Sequence, residues 1–214
     1  MLCPRIGGSE YRAVAQDLTE QDAGLQIIEA AEGLDVGLYI SNAGADGFGS
    51  FFEDSTDSAH RLVRMNISTL IDASNGFGKA FLERGKGGIV VMASGAGLGG
   101  QPNLAMYSAT KAFEINFAES LWAEYHERGI DVIAIAAPIM RTPMLLRTVP
   151  EGFDISDVYD PADVTHNALA GLLAGEPVQI VPDGPGQEKL PQVLADRKDR
   201  LVGFVEFNKT FTGG

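Results

Sequence analysis

Four consecutive stretches decide the architecture: IVVMA (89–93), SGAGLGGQP (94–102), MYSATKAFEINFAESLWAEYHE (106–127) and DVIAIA (131–136). The first and last are short, almost unbroken apolar runs, the pattern of strands covered on both faces. The long segment between them has helical length and is closed by Arg128-Gly129. A strand, a helix and a second strand in that order describe a crossover between parallel neighbours.

The same alternation extends in both directions. Tyr11–Ala15 reads as a short strand, and Thr19 with Asp22 has the spacing of a helix start. Leu25, Ile28 and Ala31 then form one apolar helical face that ends near Gly33. Asp35–Ile40 reads as a strand that runs into the turn Asn42-Ala43-Gly44-Ala45. From Ser55 to Leu82 the period is helical, with Leu62, Met65, Asn66, Thr69 and Ala73 on one face. Pro138 to Asp160 reads as irregular and acidic. Asp160-Pro161 opens a helix that ends near Gly175, Val178–Val181 is a last strand, and Leu190–Phe207 a terminal helix. Residues 182–188, PDGPGQE, are the nearest approach to a linker. The expectation is one α/β domain over 1–214, three layers deep, with helices on both faces of a parallel sheet.

Composition excludes several classes. Acidic residues number 29 against 16 basic, for a net charge of −13, so nothing draws the chain to nucleic acid or anionic lipid. No apolar run reaches the roughly 18 residues of a membrane helix. The single cysteine, Cys3, forms no internal disulfide, and no Cys/His spacing suggests a metal site. With no signal-peptide layout at Met1, the expected compartment is the cytoplasm.

In parallel sheets ligands bind beyond the carboxyl ends of the strands. The residues there are Asp17, Asn42-Ala43-Gly44, Ser94, and Pro138 with Thr142, all small, polar or turn-forming. Tyr107 and Lys111 stand one helical turn apart on one face. A free phenol is a poor base at neutral pH. An ammonium roughly 4 Å away favours the phenolate by about 4 kcal/mol at an effective dielectric of about 20. Ser94, on the loop after the preceding strand, is placed to hold a carbonyl or hydroxyl against Tyr107. Gly95 to Gly100 satisfies G-x-G-x-x-G, but the next helix starts only near Ala105 and no acid follows at a strand tip. It therefore reads as a cleft-lining loop rather than a dinucleotide fingerprint.

From about residue 11 to 182 this ordered set resembles the short-chain dehydrogenase/reductase family, which implies a Rossmann-like fold. Asn42-Ala-Gly-Ala resembles the family's N-A-G motif, and Asn66, Ser94, Tyr107 and Lys111 resemble its catalytic tetrad. Asp17 and Leu18 resemble the segment that contacts adenine, and Pro138, Ile139 and Thr142 lie in a segment similar to the one near the nicotinamide. The resemblance implies an oxidoreductase using NAD or NADP on a small-molecule carbonyl or alcohol. Tyr107 exchanges the proton, Lys111 makes the phenol more acidic and holds the nicotinamide ribose, Ser94 orients substrate, and Asn66 supports a water-mediated relay. It also implies a homo-oligomer, and a substrate lid over residues 142–160.

Two departures qualify this. Ile139 replaces the usual glycine after the proline. Family members also begin with a strand, a glycine-rich pyrophosphate turn, a helix and a second strand. On that plan this chain is N-terminally truncated, starting roughly 45–50 residues late. The alternative reading is therefore a cofactor-independent or inactive relative. Asp46, Phe48, Leu98, Gln101, Met144 and Leu145 are the expected cleft lining. His60, His126 and His166 are expected at the surface, Trp122, Phe113 and Phe117 in the core or at a helix interface.

Overall fold

A computed structural model describes residues 5–6, 9–45, 47–53, 55–148, 154–156, 158–180, 195–199 and 201–203. Its centre is a parallel sheet of four strands, in the order β3 (Leu38–Ser41), β4 (Gly87–Met92), β5 (Ile130–Ala136) and β6 (Val178–Ile180). β4 and β5 lie inside the sheet, which is why their sequences do not alternate: successive side chains enter two different cores. Ile89, Val91, Val132 and Ala134 face one core with Phe81, Ile115 and Trp122. Val90, Ile133 and Ile135 face the other, with Val164, Ala168 and Leu172. The first core is covered by α1 (Ala23–Ala30), α3 (Thr69–Arg84) and α4 (Ala105–Tyr125). The second is covered by α6 (Pro161–Leu173). The three-layer α/β arrangement read from the sequence is the one observed.

Several boundaries differ, each for a local reason. Tyr11–Ala15 forms no strand. Among the described residues β3 is paired on one side only, with β4, and Tyr11–Ala15 pairs with no strand. The described backbone before it is instead a short antiparallel pair, β1 (Arg5–Ile6) with β2 (Ser9–Glu10). Thr19 does not open a helix. Asp17 accepts hydrogen bonds from the Thr19 N–H at 2.9 Å and hydroxyl at 2.8 Å, closing a local turn, and α1 begins only at Ala23. It ends at Ala30. β3 starts three residues later than Asp35.

The helix expected over 55–82 is α2 (Thr56–Val63) and α3 joined by a π turn, Arg64–Ser68. Ser55 caps it by accepting from the Asp57 N–H, and Gly85 ends it in the left-handed region. The wider π turn carries Asn66 inward. After β5 the chain is less irregular than expected: α5 (Pro143–Thr148) forms. An isolated parallel bridge, Met140 to Tyr159, closes the base of the excursion. Asp160 caps α6 through the Ala162 N–H, as its pairing with Pro161 implies. Residues 195–199 and 201–203 are helical, while Val181, the 182–188 stretch and the rest of 190–207 lie outside the described residues.

Candidate active site

The π turn, the end of β4 and the start of α4 converge beyond the carboxyl end of the sheet. Asn66, 3% exposed, clamps the turn after β3. Its Oδ1 accepts from the Ala45 N–H at 3.2 Å, and its Nδ2 donates to the Ala45 carbonyl at 3.1 Å and to Thr110 Oγ1 at 3.1 Å. Thr110 in turn donates to the Tyr107 carbonyl at 2.9 Å. A side chain at Gly44 would be a tight fit: a Cβ would stand 3.1 Å from Asn66 Oδ1 and in ordinary contact, 3.6 Å, with Lys111 Nζ. Removing the amide strands both Ala45 groups, so Asn66→Ala is expected to cost about 1–3 kcal/mol, read as a lower urea midpoint.

Lys111 Nζ lies 5.8 Å from the centroid of the Tyr107 ring. It donates to the Met92 carbonyl at 3.0 Å and to both oxygens of Glu114 at 3.1 and 2.8 Å. Glu114 is almost wholly buried, and that burial pushes its carboxyl up to about 7, while the Lys111 charge pulls the other way. The carboxylate was not anticipated among the site residues. Its signal was a polar position on the same buried helical stripe as Tyr107 and Lys111, at i+3 from the lysine.

Ser94 begins the 3-10 turn Gly95–Leu98, its Oγ accepting from the Ala96 N–H at 3.2 Å. The hydroxyl hydrogen remains available to donate. The turn lies flat on α4 and leads into no helix, as the reading against a dinucleotide fingerprint requires. A Cβ on Gly97 would stand 2.6 Å from the Lys111 carbonyl. The Gly95 N–H bonds to the Ala137 carbonyl at 2.9 Å, which places the Pro138–Thr142 segment beside Ser94. Pro138 is buried and Ile139 is 52% exposed. Thr142 Oγ1 accepts from the Leu145 N–H, starting α5.

The main chain of Leu18 and Thr19 is tied to the π turn and to the first residue of α3. Arg64 Nε donates to the Thr19 carbonyl at 2.7 Å, and Thr69 Oγ1 to the Leu18 carbonyl at 3.4 Å. The two hydrogen bonds from Thr19 hold the exposed Asp17 carboxyl below its ordinary range. Asn42, Ala43 and Gly44 are exposed at the tip of β3. Phe48 (75% exposed), Leu98 (46%) and Met144 (51%) are open to solvent, and Asp46 lies outside the described residues. The loop holding Phe48 is tied to the 101–103 loop by the Gly49 N–H to Asn103 carbonyl bond at 2.8 Å.

Away from the site, His60 and His166 are exposed, as expected. His126 is not simply a surface residue. It is half-buried, stacked on Trp122 with ring centroids 4.9 Å apart, where its ring gains contact area. Trp122 is in the core, and Phe113 stacks on Phe117. Among the described residues no group of His, Cys, Asp and Glu is arranged to hold a metal ion. No helix there is long and apolar enough to cross a membrane.

A doubly covered parallel sheet, with small polar turns and buried Lys111 and Asn66 beside a half-buried Tyr107 at its strand tips, defines a class of α/β protein that takes its ligand across those tips. The sequence profile of the short chain dehydrogenases matches residues 3–151, and the chain belongs to that oxidoreductase family. It is 32% identical over 142 residues to mouse (Mus musculus) 17-beta-hydroxysteroid dehydrogenase type 3, an alignment covering 65% of this chain and 47% of the relative. It is 29% identical over 197 residues to a Clostridium sardiniense 7beta-hydroxysteroid dehydrogenase, covering 91% and 75%. The chain thus spans about half the length of the mouse protein. Among solved structures, a Sphingobium yanoikuyae short-chain dehydrogenase in complex with NADPH superposes with a TM-score of 0.73 at 26% identity, covering 88% of this chain and 73% of that one. A bulky-bulky ketone specific alcohol dehydrogenase from Comamonas testosteroni gives 0.70 at 28%, covering 86% and 71%.

Proposed function

We propose that this chain is an NAD(P)-dependent oxidoreductase that interconverts a bulky apolar ketone and its secondary alcohol. The observation that carries the reading is the approach of Asn66 and Lys111 to Gly44, with the Tyr107 ring beside Lys111. That cradle suits the nicotinamide-ribose end of a dinucleotide. Asn42, Ala43 and Gly44 at the tip of β3, Pro138, Ile139 and Thr142 after β5, Lys111 and Tyr107 would hold it, and Asp17 with Leu18 the adenine end. When bound, the nicotinamide supplies or accepts the hydride.

The chain's own residues handle the proton and the substrate. The Tyr107 hydroxyl gives its proton to the carbonyl oxygen in reduction and takes it back in oxidation. Ser94 donates its free hydroxyl hydrogen to the same oxygen, stabilising the charge that grows there. Asn66 keeps the turn after β3 against α4, which fixes Gly44 relative to Lys111. Phe48, Leu98 and Met144 supply an apolar rim. This agrees with relatives that are named for hydroxysteroids and with a neighbour named for bulky ketones. The Met140–Tyr159 bridge at the base of this stretch supports reading 142–160 as the substrate lid of a single domain.

The test is a fluorescence titration of the purified chain with NADH and NADPH, followed by turnover of large ring ketones against acetone. Saturable binding in the micromolar range and preference for the large ketone support the reading. No binding at millimolar nucleotide overturns it and leaves proton chemistry without a cofactor. The protein is further proposed to be a cytoplasmic homo-oligomer. The apolar groove between α3 and α4, about 340 Å³ and lined by Ile71, Phe117 and Leu121, fits a second copy. Ile71, 40% exposed, lies outside the core. Ile71→Glu is expected to halve the sedimenting mass without altering the circular dichroism spectrum.

A further inference from the structure

Asn66 and Thr110 are joined in a buried chain of hydrogen bonds whose direction is fixed throughout. The Asn66 Oδ1 accepts from the Ala45 N–H, and its two Nδ2 hydrogens go to the Ala45 carbonyl and to Thr110 Oγ1. Turning the amide over would set its NH2 group against the Ala45 N–H, so one orientation alone satisfies the turn after β3. Thr110 Oγ1 can only accept from that NH2 group. Its own hydrogen therefore goes to the Tyr107 carbonyl, 2.9 Å away. Thr110 has no exposed surface at all. A valine there would have the same shape and would leave one Asn66 N–H without a partner.

The hydroxyl joins two elements that carry different parts of the site. The turn Asn42–Ala45 follows β3 and is clamped by Asn66, whereas Tyr107 and Lys111 stand on α4. Among the described residues, the Asn66–Thr110 bond is the hydrogen bond that fastens the π turn to α4. The next tie, from the Gly49 N–H to the Asn103 carbonyl, joins the loops beyond and before those elements rather than the site itself.

We propose that Thr110 is a positioning residue for the reduction: its hydroxyl keeps the turn after β3 in register with the face of α4 that carries Tyr107 and Lys111. This deepens the oxidoreductase reading of the site and rests on it. Hydride and proton transfer need the reacting carbons and the Tyr107 hydroxyl aligned together, and a displacement of about 1 Å costs roughly 10²-fold in rate. Binding of a large ketone against an apolar rim needs far less exact alignment. The effect of Thr110 therefore falls on kcat rather than on KM.

The experiment compares wild type with Thr110→Val, Thr110→Ala and Thr110→Ser, using a large ring ketone and whichever of NADH and NADPH the wild type turns over. The first two variants remove the hydroxyl and the third keeps it. The expected result is a kcat about tenfold lower in Thr110→Val and Thr110→Ala, with the ketone KM within about twofold of wild type and Thr110→Ser within about threefold in kcat. Deuterium at the transferred position of the nucleotide should slow Thr110→Val and Thr110→Ala proportionately more than wild type, because a misaligned hydride transfer becomes the slow step. A merely structural role would lower urea midpoints and leave that isotope effect unmoved. Unchanged kcat in Thr110→Val and Thr110→Ala, or a loss carried by KM alone, overturns the proposal and leaves the cofactor reading standing. An equal loss in Thr110→Ser overturns it as well, because the hydroxyl is then not the group that matters. If Thr110→Val does not fold, the contrast between Thr110→Ala and Thr110→Ser decides by itself. Absence of nucleotide binding and turnover in the wild type overturns the cofactor reading, and this inference with it.

Discussion

Tyr107→Phe is expected to lower the rate of ketone reduction roughly 10²- to 10⁴-fold, the usual worth of a positioned acid–base group. The loss should fall on kcat, because the hydroxyl acts on an oxygen whose charge develops in the transition state. Nucleotide affinity and the urea midpoint should stay close to wild type. The Tyr107 main-chain carbonyl, which anchors Thr110 and through it Asn66, is untouched by the change, and the ring keeps its place 5.8 Å from Lys111. Retention of more than a tenth of the activity would remove Tyr107 from the proton-transfer role.

Lys111→Met is expected to produce the largest change in stability, and a pH-dependent one. At pH 8 it leaves the Glu114 carboxylate buried without its cation, a loss of roughly 3–5 kcal/mol. At pH 5 the carboxyl is protonated and the loss shrinks toward the roughly 1 kcal/mol of a missing hydrogen bond. The wild type should show a related slope. Its Glu114 carboxyl moves from 4.5 to about 7 on folding, so between those values the folded state binds the extra proton. Stability is therefore highest below pH 4.5 as far as this group is concerned. It falls as pH rises through 7, by roughly 3 kcal/mol in total. Urea midpoints at pH 5, 6, 7 and 8 read both effects, and Glu114→Gln should flatten the wild-type slope. A Lys111→Met penalty that is the same at pH 5 and pH 8 would show that the two groups do not share a proton-dependent bond.

The residues that make strands and helices here act over short distances, and those parts were legible. IVVMA and DVIAIA announce buried parallel strands because both of their faces must find apolar partners, and both do. Asp160-Pro161 announces α6 because a cap is made within one turn. Tyr11–Ala15 misled because a strand is made by its neighbour. Its side chains satisfy a strand pattern, but among the described residues no strand pairs with it. Thr19 misled because Asp17, two residues away, competes successfully for its donors.

The positions of Asn66, Ser94, Tyr107 and Lys111 were read from the order of motifs along the chain, which fixes what residues are available but not what they touch. Sequence alone determined the alternation of elements, the depth of the sheet and the placing of Asn66, Ser94, Tyr107 and Lys111 at strand tips or on the helix facing them. Tertiary structure decided the contacts. The π turn places Asn66 against Ala45, Gly44 lies beside Asn66 and Lys111, and Lys111 donates to Met92 and Glu114. The reason is physical. A pattern of apolar periods is set by which face of each element must be dry. A buried charge pair is set by where three elements happen to meet and by the removal of water from that point.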